Sequence, residues 1–210
     1  MFSLLALDHI VIAAKDPQDA AKQFSLEHNV QTISGGKHEN WGTFNHLAYF
    51  SNDCYVEWLG IFNEKIANEA SNPLIHQLVQ ALHKGEEGPI QFAFRTNNME
   101  QLIQYFEQAS IPAIGPIPGK RQRPDGSNLS WKMLFPKGTR PLPFLIEWGE
   151  GYHVVDNTSF INSQIIAQVK ANLPIHLISA YYKLAADSTL TLANTELLLN
   201  EQSTLSFVLH

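Results

Sequence analysis

Leu7-Asp8-His9-Ile10-Val11-Ile12-Ala13, followed by Asp16-Pro17, and Ile90-Gln91-Phe92-Ala93-Phe94-Arg95-Thr96, followed by Asn97-Asn98-Met99, are two versions of one pattern. Each is a run of β-branched and aromatic residues that ends at a helix-start signal, so each reads as a strand leading into a helix. Aligning the two sets His9 opposite Gln91. Each version closes in a strand with an acid before tryptophan, Tyr55-Val56-Glu57-Trp58 and Leu145-Ile146-Glu147-Trp148. A duplicated unit with one nitrogen or amide group and one carboxylate per copy can close a four-ligand site between the copies.

The rest of the chain fills in around these strands. The first copy, residues 1–62, reads as strand 6–14, helix 17–28, strand 30–34, a polar loop over 35–42, and a hairpin of strands 43–51 and 53–61 around Ser51-Asn52-Asp53. Residues 63–88 form a helical linker whose helix, 73–84, starts at Pro73 and stops at Gly85. The second copy, residues 89–150, repeats the order with strand 89–96, helix 98–109 and strands 113–120, 128–135 and 142–149. Pro124-Asp125-Gly126 is its turn signal. Each copy is βαβββ. Residues 151–210 form a C-terminal extension that reads as a partial third βαββ unit, with a helical run from Pro174 through Leu184. Matching Pro174 to Pro17 puts Ile166 where the first copy has His9, so this unit is expected to supply no ligand and to cover a sheet edge or build an interface.

Composition sets the outer bounds. The 210 residues, 44% of them hydrophobic, suffice for a sizeable core. A net charge of −6 argues against a nucleic-acid partner. The single cysteine, Cys54, rules out an intrachain disulfide and agrees with a reducing, cytoplasmic setting. The start lacks a basic region before its apolar residues, and no stretch is long enough to span a bilayer. A small-molecule partner is expected, with no membrane contact and a homodimer as an allowed assembly.

Strand alternation decides which side chains share a surface. It predicts His9, Glu57, Gln91 and Glu147 on one concave face, with the bulky residues opposite them under the helices. Two carboxylates there need compensation for lost hydration. A divalent ion held by His9, Glu57, Gln91 and Glu147 would give it, and one nitrogen with three oxygens suits Zn, Mn, Fe or Ni. The other reading needs no cofactor: Glu57 and Glu147 pair with Arg95 or with hydroxyls and water at a polar cleft. The Gly35–Asn45 segment is a second candidate, with His38 as a polar handle, Trp41 as a flat apolar wall and Asn45 facing the cleft. Lys120-Arg121-Gln122-Arg123 is a local basic cluster able to meet a carboxylate or phosphate, or else a solvated loop.

These motifs resemble the vicinal oxygen chelate superfamily and, within it, the glyoxalase-like domain proteins. The residues that carry the resemblance are Leu7–Val11, Gly35–Asn45, Tyr55–Leu59, Arg123–Gly126, Trp131 and Pro143–Trp148, in that order over roughly residues 5–150. The resemblance implies an α+β fold of paired βαβββ modules around a cleft that often holds a divalent metal, with activities that include glyoxalase isomerisation, epimerisation and extradiol dioxygenation. Glutamine stands at a first ligand position in some glyoxalases, as Gln91 does here.

The expectation is a metal-dependent lyase or isomerase acting on a small metabolite with vicinal oxygens through an enediolate-like intermediate. Glu147 or Glu57 would move the proton, and His38, Trp41, Asn45, Arg95, Arg123 and Trp131 would hold the substrate. The alternatives are a metal-free protein that sequesters a ligand against Trp41 and Trp131, and a structural dimer that uses the C-terminal part as its interface.

Overall fold

A computed structural model of the chain describes residues 5–122, 126, 128–149, 157–200 and 202–210. The first unit runs β1 (Ala6–Ala13), α1 (Pro17–His28), β2 (Ile33–His38), β3 (Thr43–Phe50) and β4 (Cys54–Ile61). Asp16 caps α1 by accepting from the backbone N–H groups of Gln18 and Asp19, with Pro17 at the first helical position. Two linker helices follow, α2 (Glu64–Glu69) and α3 (Pro73–His83). The second unit is β5 (Gly88–Arg95), α4 (Met99–Gln108), β6 (Ala113–Gln122), β7 (Asn128–Pro136) and β8 (Phe144–Trp148).

The strands of both units form one sheet in the order β2-β3-β4-β1-β5-β8-β7-β6. Its two halves meet where β1 runs antiparallel to β5, and in each half the first strand pairs in parallel with the last. The connectivity repeats once more: β10 (Ile166–Ala171), α5 (Ile175–Tyr182), β11 (Thr189–Thr191) and β12 (Glu196–Leu199) follow the order of β1, α1, β3 and β4. A further strand, β13 (Ser206–Leu209), lies against β10 as β5 lies against β1. A short β9 (Ile161–Asn162) joins β3. The chain has the α+β fold expected from the repeated pattern.

Two apolar layers hold the sheet. On one side Ile10, Ile12, Val56, Trp58, Phe92 and Phe94 pack under α1, α4 and α5. On the other, Val11, Ala13, Leu59, Ala93 and Phe144 pack against Leu74, Ile75 and Leu78 of α3. The linker is therefore more than a connection: α3 lies across part of the concave face. The C-terminal unit is tied to the body at several points. Ile178 is fully buried, and the Tyr182 hydroxyl donates to the Pro143 carbonyl at 2.5 Å. The Asn194 carboxamide bonds both the N–H and the C=O of Leu7, at 2.8 and 2.9 Å, as a neighbouring strand would. The extension thus braces β1 next to Asp8 and His9.

Two details of register depart from simple alternation. The β1–β5 ladder slips between Leu7 and His9, where Asp8 is the extra residue, and between Val11 and Ile12, where Ile90 is the extra residue on β5. A bulge re-aims side chains. Leu7 accordingly joins the helix-side core with Ile10 and Ile12 instead of sharing the face of His9. Gly35 to His38 belong to β2, with a slip between Ser34 and Gly36, whereas a loop was expected there. The Gly36 φ of 118° is the conformation that lets glycine turn the strand at that point.

Candidate active site

The concave face of the first unit carries a narrow cavity lined by His9, Tyr55 and Glu57 at its floor, His38, Asn45 and Arg121 to one side, and Trp41, Trp131, Trp148, Phe144, Ile146 and α3 around the rest. Its free volume of about 40 Å³ is room for only a few water-sized groups. Four aromatic residues line one wall in sequence, with ring-centroid separations of 5.7 Å for His38–Trp41, 6.1 Å for Trp41–Trp131 and 5.4 Å for Trp131–Trp148.

The polar floor is a chain of side chains. Asp8, the bulged residue, places Oδ1 at 2.6 Å from Nδ1 of His9 and accepts from Nε1 of Trp148 at 2.9 Å through Oδ2. A carboxylate only accepts, so Nδ1 of His9 carries a proton, and in the neutral imidazole the lone pair is on Nε2. Nε2 lies 3.6 Å from Oε2 of Glu57, and Asn45 Nδ2 donates to the other Glu57 oxygen. The His9 ring stacks on Tyr55 at 4.6 Å and meets the edge of Phe144. All of Asp8, His9, Asn45 and Glu57 are buried. Burial, then the charges of Asp8 and Glu57, push the Tyr55 phenol well above its ordinary range, so it stays protonated. Burial lowers His38 to about 4, with Glu57 pulling the other way.

His38 gives the site a pH signature. Unfolded, it binds a proton near pH 6.5; folded, only near pH 4. Between these values the unfolded chain holds more protons, so stability is full above about pH 6.5 and falls as pH drops towards 4. The loss is expected to be about 3 kcal/mol at most. Thermal melts of wild type and His38→Gln should diverge over that window, with the variant flatter. Parallel curves would remove His38 from the account.

The expected four-ligand set is not brought together. His9 and Glu57 face the cavity, but Gln91 does not line it: its amide donates to the Leu142 carbonyl at 3.0 Å, and its oxygen accepts from Phe92 N–H at 2.9 Å. Glu147 lies on the opposite face of β8 from Phe144, Ile146 and Trp148, and caps α4 by accepting from Met99 N–H at 2.8 Å. That is a stabilising place for an anion at a helix N-terminus, and it corrects both roles read for Glu147.

The ladders explain why. Val11 pairs with Glu57 in the first unit, and its counterpart Ala93 pairs with Phe144 in the second. Phe144, not Glu147, therefore stands where Glu57 stands. The two Glu-Trp pairs are out of register by three residues, an odd number that reverses the face. The same symmetry sets Ile90 and Gln91 against Asp8 and His9. Among the described residues no group of three or more His, Cys, Asp or Glu is placed to hold a metal ion. Two donors from one half of the sheet do not fit the four-ligand divalent centre that the resemblance implies.

Arg95 also lies outside the cavity. It pairs with Asp53 at 2.5 Å and sits 3.6 Å from Asp8 Oδ2, which makes it a support for the Asp8 carboxylate. Arg123 lies outside the described residues, as does most of the turn at 124–126. His38, Trp41, Asn45 and Trp131 do line the cavity. Two residues absent from the predicted set matter: Asp8, hidden by the bulge, and Arg121, whose signal was the basic cluster two residues from Arg123.

Comparison with known proteins bears on this geometry. A family model described as a glyoxalase-like domain matches residues 7–175. The chain belongs to the glyoxalase-like domain family. Among solved structures, a hypothetical protein from Staphylococcus aureus is similar over 97% of this chain and 89% of its own, with a TM-score of 0.80 and 19% identity. A Streptomyces coelicolor methylmalonyl-CoA epimerase in complex with 2-nitronate-propionyl-CoA aligns over 69% of this chain and 98% of its own, at a TM-score of 0.51 and 18% identity. The Mycobacterium tuberculosis methylmalonyl-CoA epimerase aligns over 69% and 89%, at 0.52 and 16%. The superpositions show a shared fold. No protein of curated function matches the chain. No helix among the described residues is long and apolar enough to cross a membrane.

Proposed function

We propose that this glyoxalase-like protein is an isomerase or lyase that moves a proton on a carbon beside a carbonyl in a small metabolite, with His9 as the base. The observation that carries this reading is the Asp8–His9–Glu57 chain. A buried carboxylate orients the imidazole, Nε2 faces a cavity, and a second carboxylate stands 3.6 Å from it. Nε2 takes the proton from carbon, the C–H electron pair becomes a C=C bond as the C=O π pair moves onto oxygen, and when the enolate collapses the proton returns to carbon or to the neighbouring atom from the imidazolium or through Glu57. The aromatic wall keeps water from the intermediate. The fold shared with methylmalonyl-CoA epimerases supports isomerase chemistry.

The test is solvent exchange. Hydroxypyruvate, dihydroxyacetone and glyceraldehyde are incubated with the protein in D2O, and C–H loss is followed by NMR. Exchange at least 100-fold above buffer on one of them is expected, and it should be absent in His9→Ala of unchanged near-UV circular dichroism. Exchange that survives in His9→Ala, or that wild type never shows, overturns the assignment. Exchange that disappears on chelation, with stoichiometric metal in the purified protein, would hand the chemistry to an ion held by His9 and Glu57.

A further inference from the structure

Two polar atoms on the wall of the cavity have no partner. Nη1 of Arg121 and Oδ1 of Asn45 are both fully buried and make no hydrogen bond. The orientation of Asn45 is set by Glu57: a carboxylate only accepts, so the Asn45 amide nitrogen turns to it and leaves the oxygen bare. Arg121 has no carboxylate within 4 Å among the described residues, yet its positive charge acts on both His38 and Tyr55 across the cavity. The two bare atoms are close to each other. A Cβ on Gly35 would meet Oδ1 of Asn45 at 2.2 Å and Nη1 of Arg121 at 2.8 Å, so glycine at 35 is what leaves space for this pair.

Leaving a buried donor and a buried acceptor unsatisfied is costly, and a cationic donor more so. A ligand that satisfies both has an anionic acceptor for Arg121 and, next to it, a hydroxyl donor for Asn45. The cavity's small volume and its apolar far wall limit the remainder to a short carbon chain.

We infer that Arg121 and Asn45 form a recognition subsite for a small hydroxycarboxylate, its carboxylate on Arg121 and its hydroxyl on Asn45. This deepens the proton-transfer reading, on whose cavity it rests, by naming the substrate class. Recognition and proton transfer are assigned to different side chains, so they fail separately. Asn45 also orients Glu57 through its amide nitrogen; Arg121 has no second task in the site.

The probes are lactate, propionate and propane-1,2-diol, followed by ligand-observed NMR on the full chain. Lactate should bind at least 10-fold more tightly than either propionate, which lacks the hydroxyl, or the diol, which lacks the charge. Arg121→Gln should lose lactate binding by 10-fold or more, and Arg121→Lys should recover part of it as a point charge. Asn45→Ala should reduce lactate to the level of propionate. Equal binding of lactate and the diol, or unchanged affinity in folded Arg121→Gln and Arg121→Lys, overturns the subsite. Lactate binding with these specificities but without exchange on any carbonyl probe leaves the subsite standing and removes the proton-transfer function.

Discussion

Asp8→Asn is expected to slow solvent exchange by about 10²–10⁴-fold while leaving the fold intact. The carboxamide is nearly isosteric with the carboxylate, and its oxygen can still accept from Trp148. Its NH2 group then faces Nδ1 of His9 and donates to it. That reverses the imidazole, puts the proton on Nε2 and removes the lone pair from the cavity. Arg95 retains Asp53 at 2.5 Å, so the change does not strand a buried cation. Two readings separate this from mere loosening of the site. Nitrogen NMR of His9 should show the proton moving from Nδ1 to Nε2, and binding of lactate should stay within a few-fold of wild type. Full exchange activity in Asp8→Asn, with His9 in the reversed tautomer, would show that His9 is not the base.

The second large effect concerns the half of the sheet that carries no acid at the cavity. If Gln91 stands for His9 and Phe144 for Glu57, then Gln91→His together with Phe144→Glu places two His and two Glu around the pseudo-twofold axis, a donor set suited to zinc. Without metal the double variant should be poorly stable. It loses a fully buried phenyl ring that packs against His9 and Phe135, and it adds a buried charge. A loss of roughly 3–5 kcal/mol is expected, or about 6–20 °C for a chain of this size. Zinc at 100 times its dissociation constant should return about 2.7 kcal/mol. Wild type and Phe144→Asn, which keep only His9 and Glu57 as strong donors, should show no zinc-dependent shift. Gln91→His alone offers two His and one Glu, with Glu147 left at the helix N-terminus, so it should bind zinc more weakly than the double variant. Zinc stabilisation no larger in the double variant than in Gln91→His alone would refute the register derived from the ladders.

His9 and Gln91 were legible as partners because both strands carry the same alternation before the same helix-start signal, and the paired bulges preserve that correspondence. Asn45, His38 and the tryptophans were legible from side-chain type and from the glycines beside them. Glu147 was misplaced because a repeated Glu-Trp invites an alignment that ladder pairing does not respect. The β8 strand is offset by three residues from β4, and only backbone hydrogen bonds record that. Asp8 escaped notice because alternation assigns it to the helix side, and a one-residue bulge reverses the assignment without any mark in the local composition.

The amino-acid sequence by itself determined the α+β class, the order of most strands and helices and the residues able to do chemistry, because periodicity and helix-capping residues are local properties. Only the tertiary structure decided which of those residues meet. Convergence depends on strand register, on two bulges and on where α3 lies over the concave face, and each of these is set by pairing between segments far apart in the chain. That is why one half of the sheet presents His9 and Glu57 to the cavity, with Asp8 behind the imidazole, while the other presents Phe144 and turns Gln91 aside.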